Sequence, residues 1–348
     1  MTQSNVLKRI CMAACWMLPF ATVFSVTAVA QSGPYKVETH WKIGGEGGWD
    51  YITADPHAHL LYIDHGPRVD IVNTKTGKVV DAITRLKGTH GVALDDEGKY
   101  GYISDGRDNA VVVFDRQTFK TVATIPAGEN PDGIVFEPVT KTVWAFNGRS
   151  NNVTVIDTRT LKVVSTIALP GKPEFPVADG KGVVFDNIES KNSIARLDAK
   201  TLQLTATWPL NDCESPSGLA IDRAHRHLFS VCHNQKMAVT DADSGKTLAN
   251  PTIGDGPDAA GYDPVHHLAF SSNGDGTLTV VNAASGKFDV VQNLATQRGA
   301  RTMSVDTATG RIYLVTAEFG PRPAVTAENP RPRPAILPNS FTVVVVGR

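Results

Sequence analysis

The chain repeats itself about every 42 residues, and few folds accommodate such a period. The segments VDIVNTKTGK, VVVFDRQTFK, VTVIDTRTLK, IARLDAKTLQ, MAVTDADSGK and LTVVNAASGK share an alternating apolar run, an Asp or Asn, and a turn. Their key polar residues, Asn73, Asp115, Asp157, Asp198, Asp241 and Asn282, are spaced by 42, 42, 41, 43 and 41. Alternation of period two, rich in Val, Ile and Phe and punctuated by Gly, Asn and Asp, signals strands and turns.

A second element precedes each of these, as in PDGIVFEPVTKTVWAF, and its last strand residue is acidic at Asp55, Asp95, Glu137, Asp222, Asp263 and Asp306. Ala178 stands there in a divergent fourth copy. Seven copies result, beginning near Trp49, His90, Asp132, Glu174, Ser217, Asp258 and Arg301. About 42 residues divide into four strands of ordinary length with short turns. The expected fold is therefore all-β: a seven-bladed β-propeller with four-stranded blades. The seventh copy reaches only its third strand at FTVVVVGR (341–348), and YKVETHWKIGG (35–45) carries the pattern of the missing fourth. The N-terminal strand is thus expected to close the last blade and cover an otherwise open edge.

Before the repeats, Lys8 and Arg9 precede an uncharged apolar run from Ile10 to Ala30 that ends in Ala28-Val29-Ala30. This is the pattern of a secretory signal peptide over 1–30, leaving the propeller in 31–348; a membrane anchor is the alternative. Losing Lys8 and Arg9 leaves 32 basic against 35 acidic side chains, a formal charge of −3. Such a balance does not indicate nucleic acid as a partner. No second apolar stretch is long enough to span a membrane, so the mature chain is expected in the periplasm or outside the cell. Cys213 and Cys232 remain, and two thiols in an oxidising compartment are expected to pair, the alternative being two separate thiols.

These residues resemble the YVTN-repeat (YncE-like) propellers of exported bacterial proteins. The resemblance covers about residues 35–348 and rests on the P-D-G-I-V-F, N-N-V-T-V-I-D and L-K-V-V-S-T-I segments of the third copy. EFPVADGKGVVF (174–185) departs from it. The resemblance implies a seven-bladed propeller outside the cytoplasm and little about chemistry.

Residues that recur at the same place in most copies are expected to build the blade. The Asp or Asn ending each third strand is placed to accept N–H groups of the following turn, and the acids before the first hairpin serve the same purpose. His57, His59, His225, His227, His266 and His267 fall on the loops of one face, called lower; pairs such as His225 and His227 look metal-like, but they lie on a surface turn with nothing acidic or thiolate expected to converge on them, so a solvated turn is expected.

The upper face carries residues that do not repeat. Entering the first strands stand Trp49, Asp50, His90, Asp132, Glu174, Phe175, Ser217, Asp258 and Arg301; between second and third strands stand His65, Arg107, Arg149, Glu189, His233, Asp275 and Glu318. A mixed ring of acids, histidines and arginines around a channel mouth suits a polar or charged ligand, and a self-paired solvated funnel is the alternative. Ligand-binding candidates are Trp49, Asp50, His65, His90, Arg107, Asp132, Arg149, Glu174, His233, Asp258 and Arg301. A divalent metal at this mouth would draw on His65, His90 or His233 with Asp50 or Asp132. The insertion 318–339, with six prolines and Arg322, Arg331 and Arg333, replaces an upper loop as a stiff lid or docking arm, or simply packs over a seam.

There is no CxxCH, phosphate-cradling glycine loop, GxSxG elbow or HExxH. The first expectation is a non-catalytic exported protein binding a polar small molecule, peptide or protein. The alternative is a metal-assisted lyase or hydrolase at the same mouth, with an Arg holding an anionic group.

Overall fold

The computed structural model describes Met1 and residues 33–324, 326 and 332–348. The expected signal peptide lies outside the described residues apart from Met1, as does Arg331 in the insertion.

Seven four-stranded antiparallel sheets are formed among the described residues. Blade one comprises Ile52–Asp55, Leu60–His65, Arg68–Asn73 and Lys78–Ile83. The same meander starts again at Thr89, Pro131, Pro173, Pro216 and Pro257. Blade seven comprises Thr302–Val305, Ile312–Thr316 and Thr342–Gly347, with Lys36–Lys42 as its outer strand. This is the expected seven-bladed propeller, closed by the N-terminal strand. Among the described residues no helix is long and apolar enough to cross a membrane.

Second strands are apolar on both sides because each lies between two neighbouring blades. In Thr142–Asn147, Val143 and Ala145 join the layer shared with blade two, whereas Trp144 and Phe146 join the layer shared with blade four. All four are fully buried, each large side chain contributing about 1.5–3 kcal/mol. At the closing seam, Leu61 and Ile63 pack with Tyr313, Val315, Phe341 and Val343.

Closure is held at both ends of the N-terminal strand. Its register runs from Lys36 opposite Gly347 to Lys42 opposite Thr342. The Gln292 side chain of blade six grips the Tyr35 backbone, accepting from its N–H at 3.0 Å and donating to its carbonyl at 2.8 Å. Arg311 donates to Glu38 at 2.9 Å.

The recurring acids are turn architecture. Asp115 accepts the N–H groups of Gln117 and Thr118 at 3.0 and 2.8 Å, and Asp198 those of Lys200 and Thr201. In the divergent fourth copy the inner strand Pro173–Ala178 is present, with the register shift near its start that several other inner strands also show, and Asp179, one residue later than expected, takes the acid's place by accepting from Lys181 and Val183. Cys213 and Cys232 form a disulfide across the upper end of blade five, with Cα atoms 5.3 Å apart.

Candidate functional site

Inner strands converge closely on the channel. A Cβ on Gly133 would stand 2.4 Å from the Glu174 carbonyl oxygen, so only glycine lets blades three and four approach this far. Convergence places the residues that enter each first strand around one mouth.

His90 is its hub. Its Nδ1 lies 2.6 Å from Asp50 Oδ2 and 3.7 Å from Asp132 Oδ1, joining blades one, two and three. Burial disfavours the imidazolium, but the hydrogen bond to Asp50 and the charges of Asp132, Asp50 and Asp64 outweigh it and raise the His90 pKa to about 9. One donor atom each from Asp50, His90 and Asp132 lies within 4.8 Å of the others.

Further round the ring, Lys172 Nζ lies 2.9 Å from Glu174 and also contacts Glu189, while Arg301 Nε lies 3.2 Å from Asp258. These cations do not offset the burial of the acids. Burial, reinforced by Asp132 and opposed by Lys172, raises Glu174 to about 8. Burial raises Asp132 to about 7 against the pull of His90, and Asp258 to about 6 against that of Arg301. The mouth therefore carries carboxyl groups that part with their protons reluctantly, because burial penalises their charged forms by more than the neighbouring cations repay.

Two further carboxyls were hidden from the sequence reading. Asp64 and Asp186, on second strands of blades one and four, are fully buried. No oxygen of either meets a partner at hydrogen-bonding geometry, although the Thr89 hydroxyl stands near the first and the Glu174 backbone near the second. Burial, reinforced by Asp50 for Asp64 and by Glu174 and Asp132 for Asp186, pushes both well above the usual carboxylate range. The available signal was an acid at a strand position where the other blades carry apolar or small neutral polar residues, such as Phe146 and Ser272 for Asp64 or Ala145 and Ser230 for Asp186.

The floor was also unforeseen. Tyr51 of blade one and Phe175 of blade four meet edge to face with ring centroids 4.8 Å apart, across the middle of the ring. Tyr51 is buried, and its phenol is pushed upward by burial and by Glu174, Asp132, Asp258 and Asp50. The mouth is thus a cup of carboxyls over an aromatic floor.

Other expected site residues lie elsewhere. His65 does not join His90. It ends the strand Leu60–His65, opposite Arg68, in the position that Asp105, Asn147 and Cys232 occupy in other blades, all buried. Its Nδ1 lies 2.7 Å from Asp70 and 2.9 Å from Arg68, its ring packs tilted against Phe341 at 4.2 Å, and Nε2 is buried without a hydrogen-bond partner. Among the described residues, the donor group at the mouth consists of Asp50, His90 and Asp132 and does not include His65. Trp49 packs on Phe341 at 5.3 Å and Phe319 at 6.1 Å, so it anchors the insertion's stem instead of facing the channel. That stem pairs Phe319 with Ile336 over the seam between blades seven and one. Arg107, Arg149 and His233 are exposed and make no side-chain ion pair among the described residues. His233 follows the disulfide, and its backbone N–H donates to the Glu214 carbonyl at 2.8 Å.

The lower face corrects a second expectation. An acid does converge on its histidines at blade five: Asp222 Oδ2 lies 2.7 Å from His225 Nδ1 and accepts from the Tyr262 hydroxyl at 2.5 Å. His267 of blade six approaches the same group.

No family model matches the chain, and no curated protein matches it. Solved structures resemble it in fold. Kuenenia stuttgartiensis hydrazine synthase aligns with a TM-score of 0.70 at 16% identity, covering 78% of this chain and 93% of that one. The WD40 repeats of RRP9 align with a TM-score of 0.74 at 11% identity, covering 91% and 99%. U3-55K aligns with a TM-score of 0.73 at 10% identity, covering 90% and 99%. At such identities the likeness is one of architecture alone.

Proposed function

We propose that the chain is an exported, YVTN-like propeller that binds a partner through an amine or guanidinium group at the channel mouth of its upper face. One observation carries this reading: Asp50, Asp132, Glu174 and Asp258, from blades one, three, four and six, converge above Tyr51 and Phe175. A cation entering the cup stabilises the charged forms of Asp132 and Glu174, which burial disfavours, and an aromatic floor favours a cation further, by about 0.5–2 kcal/mol. A small polyamine, a basic peptide or a basic side chain of a protein presents such a group. Export is supported by the apolar run 10–30 and by the disulfide, since such bridges persist in oxidising compartments.

The second reading, a metal-assisted lyase or hydrolase, draws on the donor atoms of Asp50, His90 and Asp132 within 4.8 Å of one another. Ligand atoms around a bound metal lie about 3–3.5 Å apart, so this triad would have to close.

Calorimetric titration of the mature chain with spermidine, arginine amide, a neutral sugar and citrate tests the first reading. Selective binding of the cations, weakened at least tenfold by Asp132→Asn or Glu174→Gln, supports it. Preference for citrate, or binding indifferent to both substitutions, overturns it.

A further inference from the structure

We propose a transition-metal site on the lower face, built by Asp222 and His225 of blade five with His267 of blade six, which takes a divalent ion of the zinc class. It is independent of the channel mouth.

Geometry assembles the donors from two blades. Asp222 ends the inner strand Pro216–Asp222 and is buried, while His225 follows on the exposed turn. His267 stands on the corresponding turn of blade six. The His225 and His267 rings are 5.3 Å apart at 76°, and one donor atom from each of the three residues lies within 4.8 Å of the others. Between them the Tyr262 hydroxyl touches Asp222 at 2.5 Å and His267 Nδ1 at 3.2 Å.

The neighbouring blade supplies an internal comparison. Asp263 and His266 form the same pair at 2.7 Å, with the Tyr35 hydroxyl 3.4 Å from Asp263, but no second imidazole completes a donor group there among the described residues. An Asp-x-x-His pair is therefore turn architecture by itself. The added imidazole of His267 is what converts it into a ligand set. Near the same turn, His227 stacks on His225 at 6.2 Å and keeps a buried Nδ1 without a hydrogen-bond partner, an unspent nitrogen beside the group.

Two imidazoles and a carboxylate suit zinc and its neighbours rather than calcium or magnesium, which prefer oxygen. The His225 Nδ1 that now faces Asp222 Oδ2 at 2.7 Å exchanges that hydrogen bond for the metal, any proton on it leaving to water, so that this nitrogen and the carboxylate face one ion together. His225 and His267 sit on turns, where side-chain rotation brings donors from within 4.8 Å to the roughly 3.3 Å that tetrahedral coordination requires. Water fills the remaining positions. A metal held in this way ties blade five to blade six.

The test uses the mature chain, free of histidine tag and stripped with chelator, titrated with zinc chloride. Wild type is expected to bind zinc at this site with a rise in thermal midpoint. His225→Ala and His267→Ala should each weaken that binding at least tenfold and abolish the rise, whereas His266→Ala and His90→Gln should leave both intact. Circular dichroism of the metal-free variants confirms that they fold, which the exposed turns should permit. The proposal is overturned if wild type binds no zinc, if both key variants retain wild-type affinity and shift, or if only His90→Gln removes the bound zinc.

Discussion

Tyr51 and Phe175 reach each other from blades one and four and touch at 4.8 Å, closing the centre of the ring beneath its upper rim. The mouth consequently carries an aromatic pair beneath its carboxyl rim. Phe175→Ala, at a half-buried ring, should cost about 2 kcal/mol, below the range for a fully buried phenylalanine. The same change should weaken cation binding at the rim. Chemical denaturation and titration with arginine amide measure the two effects, and an unchanged affinity would remove the floor from the recognition account.

Stability should fall as pH rises. In the folded protein Asp258, Asp132 and Glu174 keep their protons to about 6, 7 and 8, whereas unfolded carboxyls release theirs near about 4. The folded state then holds more protons than the unfolded one across this window, which gives stability a negative slope with pH. His90, raised to about 9, acts in the same direction. Its contribution is complete below its unfolded value of about 6.5 and disappears as pH passes 9. Thermal midpoints measured from pH 5 to 9 should decline steadily, and the slope should be shallower in Asp132→Asn/Glu174→Gln. A midpoint that climbs over this range would contradict the burial argument.

Closure through the N-terminal strand makes a distant segment essential. Deleting residues 31–45 removes the strand Lys36–Lys42, the buried Tyr35 and the Trp41 ring packed 5.5 Å from Tyr313, and exposes Thr342–Gly347 as an edge. Burial of two aromatic side chains alone is worth about 3–6 kcal/mol. The truncated protein should unfold at a markedly lower temperature, and a retained midpoint would show that the ring does not depend on this strand.

The disulfide joins residues 19 apart in sequence. Replacing both cysteines by serine should cost about 3 kcal/mol in denaturant unfolding, the value expected for constraining a loop of this size. A loss near zero would mean that the surrounding strands constrain the loop already.

The blade count, the closing strand and the turn acids were legible because each follows from a period: about 42 residues for the repeat and two for the strands. The disulfide followed from compartment and number. What a period cannot convey is which way a side chain turns at a strand end, or which residue faces it across the ring. His65 looked like a loop residue beside Arg107, yet strand pairing extends one residue further and rolls it under the blade-seven seam against Phe341. Asp64 and Asp186 were passed over because a single acid within an apolar strand has no spacing to mark it. Tyr51 and Phe175 are 124 positions apart in the numbering and meet only through the curvature of the ring. His225 and His267 were assigned to separate solvated turns because their approach depends on how adjacent blades pack.

The central claim is that a cation settles among carboxyls that are partly protonated at neutral pH. Its most direct test is the number of protons exchanged on binding, obtained by titrating the mature chain with arginine amide at pH 7 in buffers of different ionisation enthalpy. Binding should release protons to the buffer, and Glu174→Gln should reduce the number released. Binding with proton uptake, or with no exchange at all, would contradict the account.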